Sequence, residues 1–301
     1  MPDLVKNTFL KKKDESPLNS PFKVREKMVL RRSAAKGAGR NGAEAMYRNG
    51  LITSRQMTVL RMLDEFGVLT SRMAADAMDF PLIEDRLKKA HNTKSPYKND
   101  LSRLLRMGLI AEGTIYIEEK ERMKVYYLTR GVSEWAREKF RYDDKLFETG
   151  TPRSFSAVMT VPELMRRLSA NKFAIKAMNS AYKDLAERRI GYFKWLAFFE
   201  LFFCDQDDNR LYIISLRKLR LEKLRAAAAM EEALKDKSAS IIFLTTDISS
   251  ARKLHEYLAK SDHYDDERVY YCDDFEVEES TGFPCLYRFT ENGYLRYELY
   301  R

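Results

Sequence analysis

The sequence is poor in cysteine and histidine, and it contains no long apolar run. Its three cysteines are far apart and form no CxxC or Cys/His pattern, which argues against a zinc site or a disulfide framework. The most apolar run, 192–204, is interrupted by Lys194 and Glu200 and is too short to span a bilayer. The first residues show no apolar signal-peptide core. We therefore expect a cytoplasmic protein that has no membrane partner, metal or cofactor.

The motifs of several enzyme classes are also missing. The sequence has no GxxxxGK[ST], GxGxxG, GxSxG or HExxH pattern. His91, His255 and His263 are isolated from one another, and His255 lies among charged residues, which favours a surface position over a catalytic one. These absences predict a protein that is not an enzyme.

Charge is abundant and unevenly distributed in the 301 residues, whose net charge is +9. Residues 1–50 hold 12 Lys and Arg against 5 Asp and Glu, and we expect a flexible basic arm with possible short helices near 24–32 and 43–48. Such an arm either binds phosphates or is a solvated tail. Residues 262–279 hold 9 acids, opposed only by Arg268. This acidic segment is interpreted first as a solvated rim, with binding of a basic partner or of the arm as the alternative.

Residues 51–140 have the pattern of three short helices, a two-stranded hairpin and a closing helix. The first helix is predicted to follow an N-cap at Thr53 or Ser54, and the third to begin at Pro96 and end at Gly108. The strands IAEGTIYI and MKVYYLTR flank a tip with the sequence EEKER. The pattern predicts one compact domain over 51–140.

Residues 141–156 are rich in turn formers and mixed charge and are predicted to be a linker. Beyond them, helices are expected over about 161–169 and 171–188. Strands and helices then follow each other to the end of the chain, with SIIFLTT as a central strand and GYLRYELYR as an edge strand. The overall fold class is therefore α+β, with a mixed α/β domain over 157–301.

The segment LLRMGLIAEGT…KVYYLTRGVSEW resembles winged helix-turn-helix domains. A helix end with the pattern L-x-x-L-x-x-x-G-L-I leads into the wing, and a strand end with the pattern Y-x-L-T-x-x-G follows it. The domain order is most similar to that of the replication-relaxation family of plasmids and conjugative elements. That resemblance implies a winged helix followed by an α/β domain akin to PD-(D/E)XK nucleases, which are restriction-endonuclease-like.

A nuclease of that kind needs carboxylates that hold a divalent metal beside the scissile phosphate. The candidate strand LYIISLRK ends in Arg217 and Lys218, and Ser215 and Leu216 precede them where a carboxylate is required. Three aspartates of the preceding turn, Asp205, Asp207 and Asp208, could substitute, but turns between strands are commonly acidic because they are solvated. We therefore expect a degenerate nuclease-like fold that serves as a scaffold or interaction module.

The third predicted helix has the features of a DNA recognition helix. Its leucines occupy one side, which leaves polar and basic side chains for the groove or the backbone. Arg suits guanine O6/N7 or phosphate, and residues 88–106 hold six Lys and Arg against Asp100 alone. The wing tip is mixed in charge, and the arm could track a minor groove. The candidate DNA-binding residues are Tyr97, Lys98, Ser102, Arg103, Arg106, Lys88, Lys89, Lys94, Lys120, Arg122, Lys124, Arg31, Arg32, Lys36 and Arg40.

These residues predict an accessory or regulatory protein of a plasmid, conjugative element or phage that binds double-stranded DNA. It would serve in replication, transfer or transcription control, and its C-terminal domain would bind a partner or a second copy. One alternative is an adaptor or inhibitor whose winged helix docks on a protein, since the basic side chains could be the polar face of an ordinary amphipathic helix. A metal-dependent nuclease is the third alternative.

Overall fold

The structure is a computed structural model that describes residues 20–25, 27–33, 37–78, 96–118, 120–140, 160–178, 189–191, 201–204, 210–280, 283–290 and 293–297. Within these residues the chain is α+β, with two sheets. It divides into a small unit, residues 25–161, and a large unit, residues 1–24 and 162–301. The predicted linker over 141–156 lies outside the described residues.

The small unit contains five helices and four strands among its described residues. In chain order they are β1 Met28–Arg32, α1 Gly39–Arg48, α2 Ser54–Phe66, β2 Leu69–Thr70, α3 Ser71–Met78, α4 Pro96–Arg106, β3 Ile110–Ile117, β4 Lys120–Leu128 and α5 Arg130–Lys139. The predicted order of three helices, hairpin and closing helix over 51–140 is present as α2, α3, α4, β3, β4 and α5.

Side-chain caps mark where α2 and α3 begin. Thr53 Oγ1 accepts a hydrogen bond from the Gln56 backbone N–H at 3.3 Å, and Gln56 Oε1 accepts one from the Thr53 N–H at 3.1 Å. This reciprocal pair is a capping box, and it begins α2 at the predicted place. Thr70 Oγ1 likewise accepts from the Met73 N–H at 3.2 Å at the start of α3.

The four strands form one antiparallel sheet in the order β1-β3-β4-β2. Ile117 pairs with Lys120, so the hairpin turn is only two residues long. Its first residue, Glu118, has a φ of 49°, as a tight hairpin turn requires. The predicted five-residue tip is therefore wrong, because Lys120 already lies in β4.

The described part of residues 25–50 is ordered, in contrast to the flexible arm expected there. The helix expected near 24–32 is replaced by β1, which pairs with β3 along its whole length. Val29 and Arg31 of β1 are exposed, whereas Met28 is buried, so the strand has one inner and one outer face. The sequence of β1, three apolar residues followed by two arginines, shows no such alternation, and its partner strand lies more than 80 residues away.

Helix α1 packs against α5 through a close approach of the backbones. A Cβ atom on Gly131 would come within 2.7 Å of the Gly39 Cα. Trp135 Nε1 donates to Glu44 Oε2 at 2.7 Å, and Lys139 Nζ lies 3.9 Å from the centre of the Tyr47 ring. Hydrogen bonds from Trp135 and then Arg48 hold the pKa of Glu44 below its usual value. The loop expected over 36–42 therefore becomes helical at Gly39.

The large unit is built on a seven-stranded sheet in the order β11-β10-β9-β8-β7-β6-β5. The three central strands β7, β8 and β9 are parallel, the edge strand β11 pairs with β10, and the predicted central strand SIIFLTT is part of β8. One helix, α6, runs without a break where two were expected. The elements are α6 Val161–Met178, β5 Arg189–Gly191, β6 Leu201–Cys204, β7 Arg210–Ser215, α7 Leu219–Leu234, β8 Ala239–Thr245, α8 Ile248–Leu258, β9 Val269–Asp273, α9 Asp274–Glu279, β10 Leu286–Thr290 and β11 Gly293–Tyr297.

The core of the large unit lies where α7 and α8 cover one face of the sheet. His255 is half-buried and packs on aromatic residues of this core. Its ring stacks on Phe289 with centroids 5.1 Å apart, and its Nδ1 is 3.0 Å from the Tyr264 hydroxyl. Burial lowers the pKa of His255, so the neutral ring is the form that this environment favours. His255 is therefore partly covered, which is deeper than its charged sequence neighbours indicate.

The acidic segment 262–279 is only partly a solvated rim. Asp273, Asp274 and Glu276 are 6%, 1% and 3% exposed. Asp273 caps α9, and Glu276 accepts a hydrogen bond from Arg296 at 2.8 Å. The carboxyl groups at this end of the segment therefore serve the fold of the large unit, while Asp262, Asp266 and Glu267 face solvent.

Candidate nucleic-acid interface

Helix α4 is held in place by its leucines. Leu101 is 3% exposed, and Leu104 and Leu109 are fully buried. Gly108, with a φ of 68°, takes the left-handed conformation that ends the helix, and its N–H donates to the Leu105 carbonyl at 3.0 Å. Each buried leucine contributes about 1.5–3 kcal/mol. The rotation of α4 about its axis is therefore fixed, and so is the side that faces outward.

The described residues on the outward side of α4 are cations and small polar groups. Lys98, Ser102 and Arg106 follow one another at intervals of four residues, so they form one row. Asn99 and Arg103 form a second row beside it, and all five side chains are exposed. We call these five residues the basic face. It presents three positive charges along about 12 Å of helix axis.

The only acid of α4, Asp100, points away from the basic face. Its side chain is 7% exposed, and the Arg55 guanidinium donates to its Oδ2. Gln56 Nε2 donates to its other oxygen, Oδ1, at 3.3 Å. Asp100 thus ties α4 to the first turn of α2, and its negative charge is neutralised inside the unit. The basic face keeps its full positive charge as a result.

Two arginines connect α4 to α2 and to the residues just before α2. Arg55 keeps 49% of its side chain exposed while it holds Asp100. Arg103 Nη2 is 3.4 Å from the Leu51 carbonyl oxygen, a long contact that leaves most of its donors directed to solvent. Arg55 and Asn99 are the residues that the sequence analysis did not include. Asn99 could have been found from its spacing of four and seven residues to Arg103 and Arg106, whereas Arg55 carried no signal.

The hairpin β3–β4 adds less positive charge than its composition indicates. Lys120 is exposed and Arg122 half-exposed, and Arg122 is the additional residue at an irregularity in the β3–β4 pairing. Lys124 Nζ lies 3.1 Å from Glu112 Oε1, with 47% of the lysine side chain still exposed. The ion pair with Glu112 offsets the charge of Lys124, so Lys120 and Arg122 are the stronger candidates in this hairpin.

Strand β1 places Arg31 beside the hairpin. Arg31 pairs with Thr114 of β3, and Thr114 pairs with Lys124 of β4, so the two cations flank Thr114 on one face. The Arg31 guanidinium carbon is 4.9 Å from the centre of the Tyr116 ring. Arg31 and Lys124 are thus brought together by strand pairing, which places Arg31 on a rigid sheet instead of a flexible arm.

Arg32 and Arg40 are engaged within the small unit. Arg32 is half-buried on the opposite face of β1 from Arg31, close enough to Tyr127 for its charge to oppose the rise that burial causes in the pKa of that tyrosine. Arg40 Nη2 lies 2.7 Å from Glu138 Oε2. The arm that was expected to track a minor groove therefore has Arg32 on its inner side and Arg40 in an ion pair. Lys36, Lys88, Lys89, Lys94 and the side chain of Tyr97 lie outside the described residues.

The large unit has a polar cluster at the carboxyl ends of its parallel strands. Arg217, just beyond β7, forms an ion pair with Asp274, just beyond β9, and the two side chains are 0% and 1% exposed. Arg217 also donates to Ser215 Oγ at 2.9 Å and to Ser169 Oγ at 2.8 Å. Ser169 Oγ in turn donates to Asp274 Oδ1 at 3.0 Å, and Ser20 Oγ donates to Asp274 Oδ2. We call these five residues the buried arginine cluster.

The buried arginine cluster is a structural hydrogen-bond network and not an open site. It joins α6, two strand ends and the segment that contains Ser20, and its side chains bond to one another. Glu222 next to it accepts from the backbone N–H groups of Arg217 and Lys218 at 2.7 and 2.6 Å, and from Arg166 at 2.7 Å. Among the described residues no three His, Cys, Asp or Glu side chains are grouped as a metal ion would require. Asp205, Asp207 and Asp208, named as substitute ligands, lie outside that part of the chain.

Comparison of the chain with family models, curated proteins and solved structures found no match. Within the described ranges, no helix is both long and apolar enough to cross a membrane.

Proposed function

We propose that the small unit is a winged helix-turn-helix that binds double-stranded DNA, with α4 as its recognition helix and the β3–β4 hairpin as its wing. The protein would act as an accessory or regulatory factor of a mobile genetic element in the cytoplasm, without catalytic activity of its own. The large unit would be a degenerate nuclease-like scaffold. These assignments rest on the element order and on the basic face.

One observation carries the proposal: the basic face is free of acid because Asp100 is turned inward. A carboxylate on the outer side of α4 would repel the DNA phosphates. It would also interfere with an arginine that contacts a guanine base. Here Arg55 and Gln56 hold that carboxylate inside the unit. A helix that presents Lys98, Arg103 and Arg106 together has the charge and the spacing for one strip of DNA.

The experiment is a DNA-binding measurement on Arg103→Ala/Arg106→Ala, using the sequence that the wild-type protein selects from a random pool. We expect a loss of about 1–3 kcal/mol for each base contact removed, which is tenfold or more for the pair. Loss of phosphate contacts would also reduce the slope of log K against log salt concentration by about one for each contact.

The matched control is Arg252→Ala/Lys253→Ala, which removes the same charge from two exposed residues of α8 in the large unit. Equal weakening by both double variants would mean that net charge alone attracts DNA, and it would contradict recognition through α4. Unchanged affinity of Arg103→Ala/Arg106→Ala would contradict it too.

The second candidate function is docking of the small unit on another protein. The exposed Val29 on the outer face of β1, with 55% of its surface in solvent, favours this alternative, as does the Glu112–Lys124 ion pair on the same sheet. A protein-docking unit would show no selection of DNA sequence and no steep salt dependence. A metal-dependent nuclease, the third alternative, would nick DNA only with a divalent metal and would lose that activity in Asp205→Asn or Asp207→Asn.

A further inference from the structure

Arg55, in the first turn of α2, lies beside the basic face without belonging to it. Its Nε donates to Asp100 Oδ2. Arg103 follows Asp100 by three residues, so these two side chains are neighbours on the surface of α4. Arg103 also donates to the Leu51 carbonyl, just before α2. The Arg55 guanidinium therefore lies at the edge of the basic face that Arg103 occupies.

The contacts of Arg55 within the protein use one side of its guanidinium. Asp100 accepts from Nε, and among the described residues the two Nη groups have no hydrogen-bond partner. The Arg55 side chain is 49% exposed, whereas that of Asp100 is 7% exposed. Because the guanidinium is planar and rigid, a bond at Nε also restricts the direction of the Nη groups. Asp100 is therefore placed to orient Arg55, with the Nη donors left for a ligand in solvent.

The surface around Arg55 is open and suits an anion. The first turn of α2 contains no acid. Thr53 and Ser54 are exposed, and so are residues 48–51 before them. The start of α2 also carries the positive end of the helix dipole, which attracts anions. A polyanion that contacts the basic face can therefore extend over Arg55 without meeting a carboxylate in this turn.

The position of Arg55 fits the phosphate backbone of DNA and not the edges of the bases. The major groove is about 12 Å wide, and a helix with its side chains is about 10–12 Å across. A recognition helix thus fills the groove, and a cation at its side meets the phosphates that border the groove. The two Nη groups of an arginine can bind two phosphate oxygens together.

We propose that Arg55 binds a backbone phosphate of double-stranded DNA beside α4, and that Asp100 is its positioning residue. This inference rests on the proposed function and assigns different contacts to neighbouring residues. Side chains of the basic face contact base edges, and Arg55 fixes the position of the small unit along the duplex. The Arg55–Asp100 pair therefore couples the placement of α4 to a backbone contact.

The salt dependence of DNA binding by the full chain tests the phosphate contact. Arg55→Gln should weaken binding to the selected duplex and to an unrelated duplex by the same factor. It should also lower the slope of log K against log salt concentration by about one. Between about 50 and 200 mM salt, the wild type should then lose about threefold more affinity than the variant.

The matched control is Arg252→Gln, which removes the same charge from an exposed position of the large unit and should keep the wild-type slope. Three results would overturn the phosphate contact: an unchanged slope in Arg55→Gln, weakening confined to the selected duplex, or an equal change of slope in Arg252→Gln.

A double variant separates the phosphate contact from the packing of α4. Arg55→Gln leaves the Asp100 carboxylate with Gln56 as its partner, so a displaced α4 would also weaken binding. Arg55→Gln/Asp100→Asn removes that carboxylate and has the net charge of the wild type. Its thermal unfolding midpoint should be at or above that of Arg55→Gln, while its slope stays about one below that of the wild type. Recovery of wild-type affinity in the double variant would refute the contact.

Asp100→Asn alone tests the positioning role. This variant adds one positive charge, so attraction by charge alone would strengthen DNA binding. Loss of the charge-assisted bond to Arg55 should instead weaken binding by about threefold or more and lower the salt slope. When Arg55 is already replaced, the same change should have no further effect on affinity. Unchanged or tighter binding by Asp100→Asn would refute positioning by Asp100.

The failure of this inference is distinguishable from failure of the proposed function. A wild type that binds no DNA would overturn both. Weakened binding by Arg103→Ala/Arg106→Ala together with an unaffected Arg55→Gln would overturn the role of Arg55 alone.

Discussion

Replacing Asp274 with alanine should destabilise the large unit far more than the same change at the neighbouring Asp273. Asp274 is the only carboxylate in the buried arginine cluster, and its partner Arg217 has no solvent-exposed side-chain surface. Without Asp274 the guanidinium would remain charged in a site that water does not reach. Asp273 is the neighbouring aspartate, but its side chain caps the short helix α9 by accepting from the Glu276 N–H at 2.9 Å.

The loss of unfolding free energy in each of the two variants can be derived from these contacts. Removing one partner of a buried ion pair costs about 3–5 kcal/mol, because the remaining charge is left uncompensated. Ser169, Ser215 and the Leu244 carbonyl still accept from Arg217, which places the expected value toward the lower end of that range. Loss of an N-cap costs about 1 kcal/mol. We therefore expect Asp274→Ala to exceed Asp273→Ala by about 2 kcal/mol or more.

Hydrogen exchange read by mass spectrometry can measure this difference within one protein. Peptides from β8 report opening of the large unit, and peptides from β3 of the small unit serve as an internal control that should not change. The variant Arg217→Met/Asp274→Leu should be more stable than Asp274→Ala, because replacing both charges with apolar groups is often close to neutral.

Equal protection of β8 in Asp273→Ala and Asp274→Ala would refute this reasoning. So would a double variant that is less stable than Asp274→Ala alone. Either result would mean that the stability of this region comes from packing and not from compensation of the Arg217 charge.

Two further predictions concern backbone geometry in the small unit. Gly131→Ala should lower its stability by about 1–3 kcal/mol, because the added Cβ would meet the α1 backbone, whereas Gly42→Ala should raise it by about 0.5–1 kcal/mol, since its Cβ finds no neighbour closer than 3.5 Å. Urea denaturation followed by Trp fluorescence compares the pair, and a stabilising Gly131→Ala would contradict the close helix approach. Glu118→Asn should stabilise the hairpin by about 0.5–1 kcal/mol, because Asn tolerates the left-handed φ of 49° better than Glu; a lower unfolding midpoint than wild type would contradict this.

The sequence predicted those elements whose signals are local. The Thr53 cap, the Gly108 stop and the apolar spacing of Leu101 and Leu104 each act within a few residues, so α2 and α4 could be placed with little error. The inward position of Asp100 was also within reach, since Asp100 precedes Leu104 by one helical turn and so shares its side. A count of charges alone does not indicate on which side of the helix Asp100 lies.

What could not be predicted depends on contacts between distant parts of the chain. Strand β1 forms by pairing with β3, where Leu30 lies opposite Ile115. The sequence of β1 alone, short and rich in cations, does not indicate that partner strand. Arg217 and Asp274 meet because the ends of β7 and β9 lie at one edge of the sheet. No pattern of residue spacing along the chain indicates such a pair. For the same reason Arg31 lies in a sheet and not in a flexible arm, and His255 is half-buried against aromatic residues from distant strands.

The pairing of β1 with β3 also determines where the small unit can be cut from the chain. A fragment that starts at residue 51, as the helical pattern alone would indicate, discards β1 and leaves the backbone N–H and C=O groups along the outer edge of β3 unpaired. An uncovered strand edge is a template for other strands, and an isolated unit of that kind would tend to aggregate. Strand β1 therefore replaces the eight-residue edge of β3 with a five-residue edge strand that carries Arg31 and Arg32, and a short, charged edge resists such pairing.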